Sequence, residues 1–359
     1  RYGTVTGVQT CALPICDKYG RRPVILFSLL GFSINFFIQA WAPTIFWLFV
    51  GRIFSGITGA SITTASAYIA DISDDSNRSK NFGMIGAAFG LGFIIGPVIG
   101  GLLGQFGSRV PFYAAAVLCL VNFAYGYFIL PESLGKEHRR PFEWKRANPV
   151  GSLLKVRTHP EILKLFIAWF LVYLASHAVQ TNWAYFTMYK FAWDEKTVGI
   201  SLGVMGAFTA FVQGFLIRKV HPKLGSERSI LYGIMFYCTG MLLFAFAQKE
   251  WMMYAILAIY CLGGIAGPAL QSVISSKVSP KEQGDLQGAL TSVISITSII
   301  GPLLMTQIFY FFTHPDAKIK LLTLELKPPF QFSGAPFFLG FVLMAVSAYF
   351  VYYVFHRKK

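Results

Sequence analysis

The composition of this 359-residue chain is that of a membrane protein and excludes an ordinary water-soluble one. Hydrophobic residues make up 55% and charged residues 13%, whereas a soluble domain carries about 25% charged residues. The net charge is +15, but the basic residues lie in short gaps between apolar runs. That distribution is typical of membrane topology rather than of a nucleic-acid-binding face, so lipid is the expected partner and nucleic acid is not.

Ten apolar runs are long enough to cross the roughly 30 Å hydrocarbon core of a bilayer as helices. Barrel strands would be shorter and would alternate in hydropathy, so helix is the only element that fits these runs. The sequence predicts an all-α integral membrane protein. The predicted spans are 23–41, 45–70, 82–104, 111–130, 162–189, 198–217, 229–247, 252–275, 287–312 and 336–355.

The Lys and Arg residues predict the side of the membrane that each loop faces. Successive gaps alternate between many and few basic residues, with 22 in one set, including the last three residues of the chain, and seven in the other. Loops rich in Lys and Arg stay on the cytoplasmic side. We therefore expect a multi-pass protein of a bacterial-type cytoplasmic (inner) membrane with a cytoplasmic C-terminus. The basic, proline-punctuated stretch 131–161 is predicted to be a cytoplasmic linker.

The chain repeats itself at an offset of 205 residues. Gly20 matches Gly225, and the dipeptide Gly96-Pro97 matches Gly301-Pro302, without any gap in the alignment. Duplicated helical bundles are common among transporters. The second copy begins near residue 162 with two helices that the first copy lacks, so we expect that two helices precede the first span in the native protein.

The first fifteen residues do not resemble the rest of the chain. Residues 5–15 can be back-translated into a sequencing-library adapter, and we interpret 1–15 as an artefact to be left out of fold reasoning. The predicted organisation is the adapter at 1–15, the remainder of an N-terminal bundle at 16–130 (helices 3–6), the linker at 131–161, and a C-terminal bundle at 162–359 (helices 7–12).

The first basic gap reads Asp-Lys-Tyr-Gly-Arg-Arg-Pro over residues 17–23. It places a carboxylate and two guanidinium groups beside helix ends, where they can pair with each other and with helix dipoles. The loop resembles the D-R/K-x-G-R-R/K motif of the major facilitator superfamily. That resemblance implies a conformational latch formed by Asp17, Arg21, Arg22 and Asp71; the alternative is topogenic charge plus a helix cap.

Arg52 lies about two turns inside the span 45–70, the only Lys or Arg clearly within a predicted span. A charged side chain in the hydrocarbon region is costly and is a candidate functional residue by default. Arg52 matches an arginine of the superfamily that this chain resembles. The resemblance implies a role for Arg52 in proton or substrate handling. The alternative is that its side chain reaches the outer interface.

The span 82–104 contains small residues at close spacing around a proline. Its segment 92–101 resembles the G-x-x-x-G-P-x-x-G-G motif of superfamily antiporters, carried by Gly92, Gly96, Pro97, Gly100 and Gly101. Small residues let helices approach closely, and the proline allows bending. The resemblance implies export rather than import, whereas tight packing alone is the simpler alternative.

Closer similarity, covering nearly all of residues 17–312, is to the tetracycline-efflux branch of the superfamily. It rests on segments such as 51–72, 191–194, 263–271 and 283–288. The chemistry departs from that branch, which has an acidic residue in the helix that holds Asn35, a histidine where Thr209 stands and an aspartate where Tyr237 stands. No Asp or Glu lies within any of the ten spans.

The polar residues that remain within the spans predict a substrate or proton pathway. His177, Gln180 and Asn182 lie in the predicted seventh helix of the restored bundle, and Gln271 lies in the tenth. The resemblance implies that the first, fourth, seventh and tenth helices line a cavity, which adds Arg52 in the fourth. A histidine titrates near neutral pH, although a membrane histidine can equally bond two helices.

The favoured hypothesis is a secondary transporter that exports a small amphipathic compound in exchange for protons, by rocking two halves about a midplane site. An uptake symporter or metabolite carrier on the same fold is the alternative, and a non-transporting scaffold or sensor is a third. We expect a monomer without cofactor or metal. No metal cluster, nucleophile triad or phosphate loop indicates an enzyme.

Overall fold

The computed structural model describes residues 16–59, 61–74, 78–135, 137, 139, 160–277, 283–314, 319–321, 324–328 and 330–356. The predicted adapter at 1–15 and most of the predicted linker lie outside these residues. The helices of the first part are α1 Arg21–Trp41, α2 Ile45–Thr58, α3 Ser61–Asp71, α4 Arg78–Gly104 and α5 Val110–Ile129.

The second part begins with α6 Pro160–Phe191. It continues with α7 Glu195–Phe211, a π turn Val212–Leu216, α8 Ile217–Phe246, α9 Glu250–Leu262, a 3₁₀ turn Gly263–Ile265, α10 Ala266–Ser276, α11 Gln283–Thr313, β1 Ile319–Leu321, β2 Leu324–Leu326 and α12 Ala335–His356.

Each of the ten predicted apolar runs is helical, so the prediction of an all-α membrane fold is confirmed. Within the described ranges, eight helical segments are long and apolar enough to cross a membrane. The number is below ten for two reasons. The helix α2 has only 14 residues, and two predicted runs lie in the single segment Glu195–Phe246.

The chain divides into two compact units, the first with α1–α5 and the second with α6–α12. In the first unit α1 packs on α5 and α2, and the Ser33 hydroxyl donates to the Ala116 carbonyl at 2.9 Å. In the second unit α6 packs on α12 and α11, and α8 packs on α12. Its core contains edge-to-face aromatic pairs, such as Trp183–Phe244 and Phe186–Phe337.

The helix boundaries repeat at the same offset of 205 residues as the sequence. The starts of α2, α3 and α4 correspond in this way to the starts of α9, α10 and α11. The break between α2 and α3 at Gly59 therefore corresponds to the 3₁₀ turn that contains Gly264. Gly20 and Gly225 both adopt positive φ, 102° and 75°. The inferred repeat is thus present in backbone geometry as well as in residue identity.

Two short strands form an antiparallel hairpin in the loop between α11 and α12, which the sequence had not predicted. Ile319 lies opposite Leu326, and Lys320 lies opposite Glu325. The segments Ile-Lys-Leu and Leu-Glu-Leu alternate apolar and charged residues. Such alternation is typical of strands, but three residues per strand are too few to be recognised among long apolar runs.

Candidate functional site

The Arg21 side chain, at the first residue of α1, joins two carboxylates. Its Nη1 donates to Asp17 Oδ1 at 2.6 Å, and its Nε donates to Asp71 Oδ2 at 3.0 Å. The arginine is 7% exposed, so these charge-assisted hydrogen bonds are partly shielded from water. The structure therefore brings Asp17, Arg21 and Asp71 together, and we refer to these three residues as the Arg21 cluster.

Arg22 does not bond to the carboxylates of the Arg21 cluster with which the sequence grouped it. Its Nη2 donates to the Tyr127 carbonyl at 2.6 Å, and its guanidinium lies 5.6 Å from the centroid of the Tyr127 ring. Tyr127 is in the last turn of α5, where carbonyls lack intrahelical partners and a positive charge is favourable. Arg22 therefore binds the end of α5.

Two residues that sequence reasoning missed complete this region. The Glu132 carboxylate accepts from the backbone N–H groups of Arg21 at 2.8 Å and Arg22 at 3.3 Å. The Ser133 hydroxyl donates to Asp71 Oδ2 at 3.0 Å. The available signal was the tripeptide Pro131-Glu132-Ser133 directly after a span, although nothing in its spacing points to Arg21.

Arg52 lies on an exposed face of α2 and forms no hydrogen bond or ion pair with the part of the chain that the structure describes. The preceding residue, Gly51, faces α1. A Cβ at Gly51 would lie 3.0 Å from Asn35 Oδ1, an atom that is buried and unpaired among the described residues. Asn35 thus packs on the helix that carries Arg52, but the structure does not join the two side chains.

The three polar residues predicted on α6 do not share one face. The His177 ring is nearly buried and packs on the backbone of Gly301 in α11, where a methyl group would overlap it. Gln180 is exposed, and its Nε2 donates to Ser176 Oγ at 3.2 Å. Asn182 is fully buried, about 200° around the helix from Gln180. His177 and Gln180 can line one pathway, whereas Asn182 faces the core.

The antiporter-like segment is part of α4, and Gln271 is part of α10. A Cβ at Gly92, Gly96 or Gly100 would meet no described atom within 4 Å. Gly101 is buried, and Pro97 is half-buried within α4. The close helix contact that this motif predicts is therefore not seen at those three glycines within the described ranges. Gln271 is half-buried on α10.

The two positions in the second unit that depart from the tetracycline-efflux pattern meet near one helix break. The Thr209 hydroxyl lies 3.7 Å from Cys261 Sγ, at the end of α9. The Tyr237 ring packs on Gly263, the first residue of the 3₁₀ turn, with its centroid 4.9 Å from that of Tyr260. A thiol and aromatic rings therefore occupy this region, where the branch has ionisable side chains.

A sequence profile of the Major Facilitator Superfamily matches residues 8–302, which is most of the chain. The chain belongs to the Major Facilitator Superfamily. The class C tetracycline resistance protein of Escherichia coli is 40% identical over 295 residues, which cover 82% of this chain and 74% of that protein. The class G protein of Vibrio anguillarum is 37% identical over 295 residues, covering 82% and 75%. The prediction of a secondary transporter rather than an enzyme is confirmed.

Solved transporter structures show the same fold. The human organic anion transporter MFSD10 (TETRAN) superposes with a TM-score of 0.65 at 21% identity, covering 95% of this chain and 80% of that one. A bacterial homolog of the human lysosomal transporter Spinster, in an inward-facing conformation, has a TM-score of 0.70 at 16% identity, covering 97% and 88%. At these identities the likeness shows the fold alone.

Proposed function

We propose that this transporter exports a small amphipathic compound in exchange for protons. The observation that carries the proposal is the 40% identity, over 82% of the chain, to a tetracycline resistance protein. Export would work by alternating exposure of a substrate site to the two sides of the membrane. The proposal includes a bacterial-type inner membrane, a cytoplasmic C-terminus, a monomer in lipid and a cytoplasmic linker at 131–161.

The proposed substrate is not a metal complex of tetracycline. Asn35, Thr209 and Tyr237 replace the ionisable groups of that branch. Thr209 contacts a thiol, and Tyr237 packs on a glycine. These surroundings favour an apolar compound with a small polar part over a chelated cation. We propose Arg52, His177, Gln180 and Gln271 as pathway residues, and we leave Asn182 out because its amide faces the core.

The Arg21 cluster is proposed as the conformational latch. Its Arg21–Asp71 bond joins the start of α1 to the end of α3 within the first unit, and we propose that these two helices shift against each other during the transport cycle. Because each bond is partly exposed, the cluster can break and reform at a cost within reach of substrate binding. We also propose the glycine segment of α4 as the antiporter element. Its small residues would let another helix approach α4 closely in another conformation of the transporter.

The test uses inside-out membrane vesicles that contain the chain and are energised to acidify their lumen. Tetracycline and a panel of amphipathic fluorescent cations and neutral compounds serve as probes. Export predicts accumulation of at least one probe, which a protonophore abolishes, while tetracycline is not preferred. Proton-driven accumulation only in right-side-out vesicles would indicate an uptake symporter, and no transport in either orientation would favour a scaffold or sensor.

A further inference from the structure

The N-terminus of α1 is capped by a side chain from far along the chain. Gly20, the residue before the helix, offers no side-chain cap. The Glu132 carboxylate instead accepts from the N–H groups of Arg21 and Arg22, which are 111 and 110 residues away. It also accepts from the Leu134 N–H at 3.1 Å. A negative charge is favourable at a helix N-terminus, where the first N–H groups lack partners.

The position of Glu132 depends on the absence of a side chain at Gly20. A Cβ at Gly20 would overlap Glu132 Oε2 and would lie 3.0 Å from Arg139 Nη2. The φ angle of 102° at Gly20 is also a conformation that favours glycine. Glycine at position 20 therefore allows the backbone turn and leaves space for the Glu132 carboxylate at the end of the helix.

The same short segment contacts the Arg21 cluster at a second point. Asp71 Oδ2 accepts from both the Ser133 hydroxyl and Arg21 Nε, each at 3.0 Å. In the opposite direction, Arg22 donates to the carbonyl of Tyr127 at the end of α5. A carboxylate that follows α5 thus caps the start of α1, and a guanidinium group at the start of α1 caps the end of α5.

We propose that Glu132 is a positioning residue of the Arg21 cluster. By holding the N-terminus of α1, it fixes the Arg21 guanidinium between Asp17 and Asp71, and Ser133 orients Asp71. Because Glu132 and Ser133 carry these contacts, losing the contacts is expected to loosen residues 132–134 and to speed cleavage at the trypsin sites that follow them in the sequence. This inference rests on the proposed latch and names a further part of it.

The experiment is a double-mutant cycle in the full chain, with Glu132→Gln and Asp71→Asn made singly and together. The deciding readout is the half-time of trypsin cleavage after Lys136 or Arg139 in inside-out vesicles, which needs no transport. Glu132→Asp tests rescue by a retained charge, and Gly20→Ala displaces the carboxylate without changing it. Glu250→Gln, an exposed acid in the first turn of α9, is the matched control.

We expect Glu132→Gln to shorten the half-time about tenfold, the scale of losing charge-assisted bonds at a helix end, and Gly20→Ala to do the same. Glu132→Asp should recover part of the effect, and Glu250→Gln should have none. In the Asp71→Asn background, Glu132→Gln should change the half-time by less than about twofold, since coupled residues are non-additive. Equal effects in both backgrounds, or no effect at all, would overturn the proposal.

Probe transport is then measured on the same variants. The initial rate should show the same non-additivity. If the parent chain transports no probe, the proposed function fails, while the protease cycle still decides whether Glu132 positions the cluster. If transport is present but unaffected by Glu132→Gln, the coupling to function is wrong although the contact is real.

Discussion

The loop before α1 and its counterpart, an interruption within α8 at Gly225, have the same backbone turn but different chemistry. Gly20 and Gly225, 205 residues apart, have φ of 102° and 75° and ψ of 164° and 171°. In the first loop, Arg21 joins Asp17 and Asp71. The corresponding residues of the second unit are Ser226, Pro222 and Ser276.

The surroundings of the two glycines differ in the same way. A Cβ at Gly225 would meet no described atom within 4 Å, whereas at Gly20 it would overlap Glu132. The Ser276 hydroxyl donates to the Val273 carbonyl of its own helix at 2.9 Å. The second unit thus has the turn without a counterpart of the Arg21 cluster. The turn is therefore common to both units, whereas the Arg21 cluster is specific to the first, and we propose that the cluster serves the transport cycle.

The largest effect is expected at Arg52, whose counterpart in the repeat is Leu257. Arg52 is exposed, while Leu257 is fully buried. We expect Arg52→Ala to lower the transport rate by about 100-fold or more at unchanged membrane abundance, since an intramembrane charge without a partner among the described residues is a functional candidate. Leu257→Ala should instead lower the free energy of unfolding by about 2–5 kcal/mol. Vesicle transport and immunoblots test the first expectation, and unfolding in detergent tests the second. Unimpaired flux in Arg52→Ala would remove Arg52 from the mechanism.

The next largest loss of transport is expected for Arg21→Ala, which tests the comparison of the two loops directly. Arg21→Ala leaves Asp17 and Asp71 without their shared cation, and removing one partner of a hydrogen-bonded charge pair costs about 2–5 kcal/mol when the pair is buried. Because these carboxylates are partly exposed, we expect the lower end, a fall in transport rate of about 30-fold. Ser226→Ala, the matched change in the second unit, should leave the rate unchanged. Equal losses would mean that both loops serve the fold alone.

These contrasts also show what could be predicted from sequence. Hydropathy located all ten apolar runs that form the helical segments, because a bilayer demands long apolar runs whatever their tertiary contacts are. The loop motif pointed to Asp17, Arg21 and Asp71. Glu132 could not be predicted, since its role depends on a tertiary contact across 111 residues.

The different placement of Asn182 and Gln180 could have been predicted from the sequence. A separation of two residues places Asn182 on the opposite face of α6 from Gln180, by helical geometry alone. The burial of Asn182 confirms that the two amides have different surroundings. The placement of Arg22 on α5, by contrast, required the structure, because both arginines of the loop have the same sequence neighbours.

A smaller effect separates the two reasons for glycine at the turns. Both positions adopt a backbone region nearly restricted to glycine, and a non-glycine residue there costs about 1–3 kcal/mol. We expect Gly225→Ala to lower the free energy of unfolding by that amount only. Gly20→Ala should cost about 1–2 kcal/mol more, because it also displaces the Glu132 carboxylate from two N–H groups. Unfolding in detergent, followed by tryptophan fluorescence, measures the difference, and equal costs would contradict the crowding at Gly20.

The smallest effect is expected at Glu227, an acidic residue close to Gly225 in the second unit. Glu227 Oε1 lies 3.6 Å from His356 Nδ1, and both side chains are 42% exposed. Ion pairs with such exposure contribute about 0–1 kcal/mol, because water screens them and ordering both side chains is unfavourable. Glu227→Gln should therefore change the free energy of unfolding by less than about 0.5 kcal/mol and leave transport intact. A loss of transport comparable to that of Arg21→Ala would mean that each loop carries a latch of its own, and the asymmetry between the two units would then lie in residue type rather than in function.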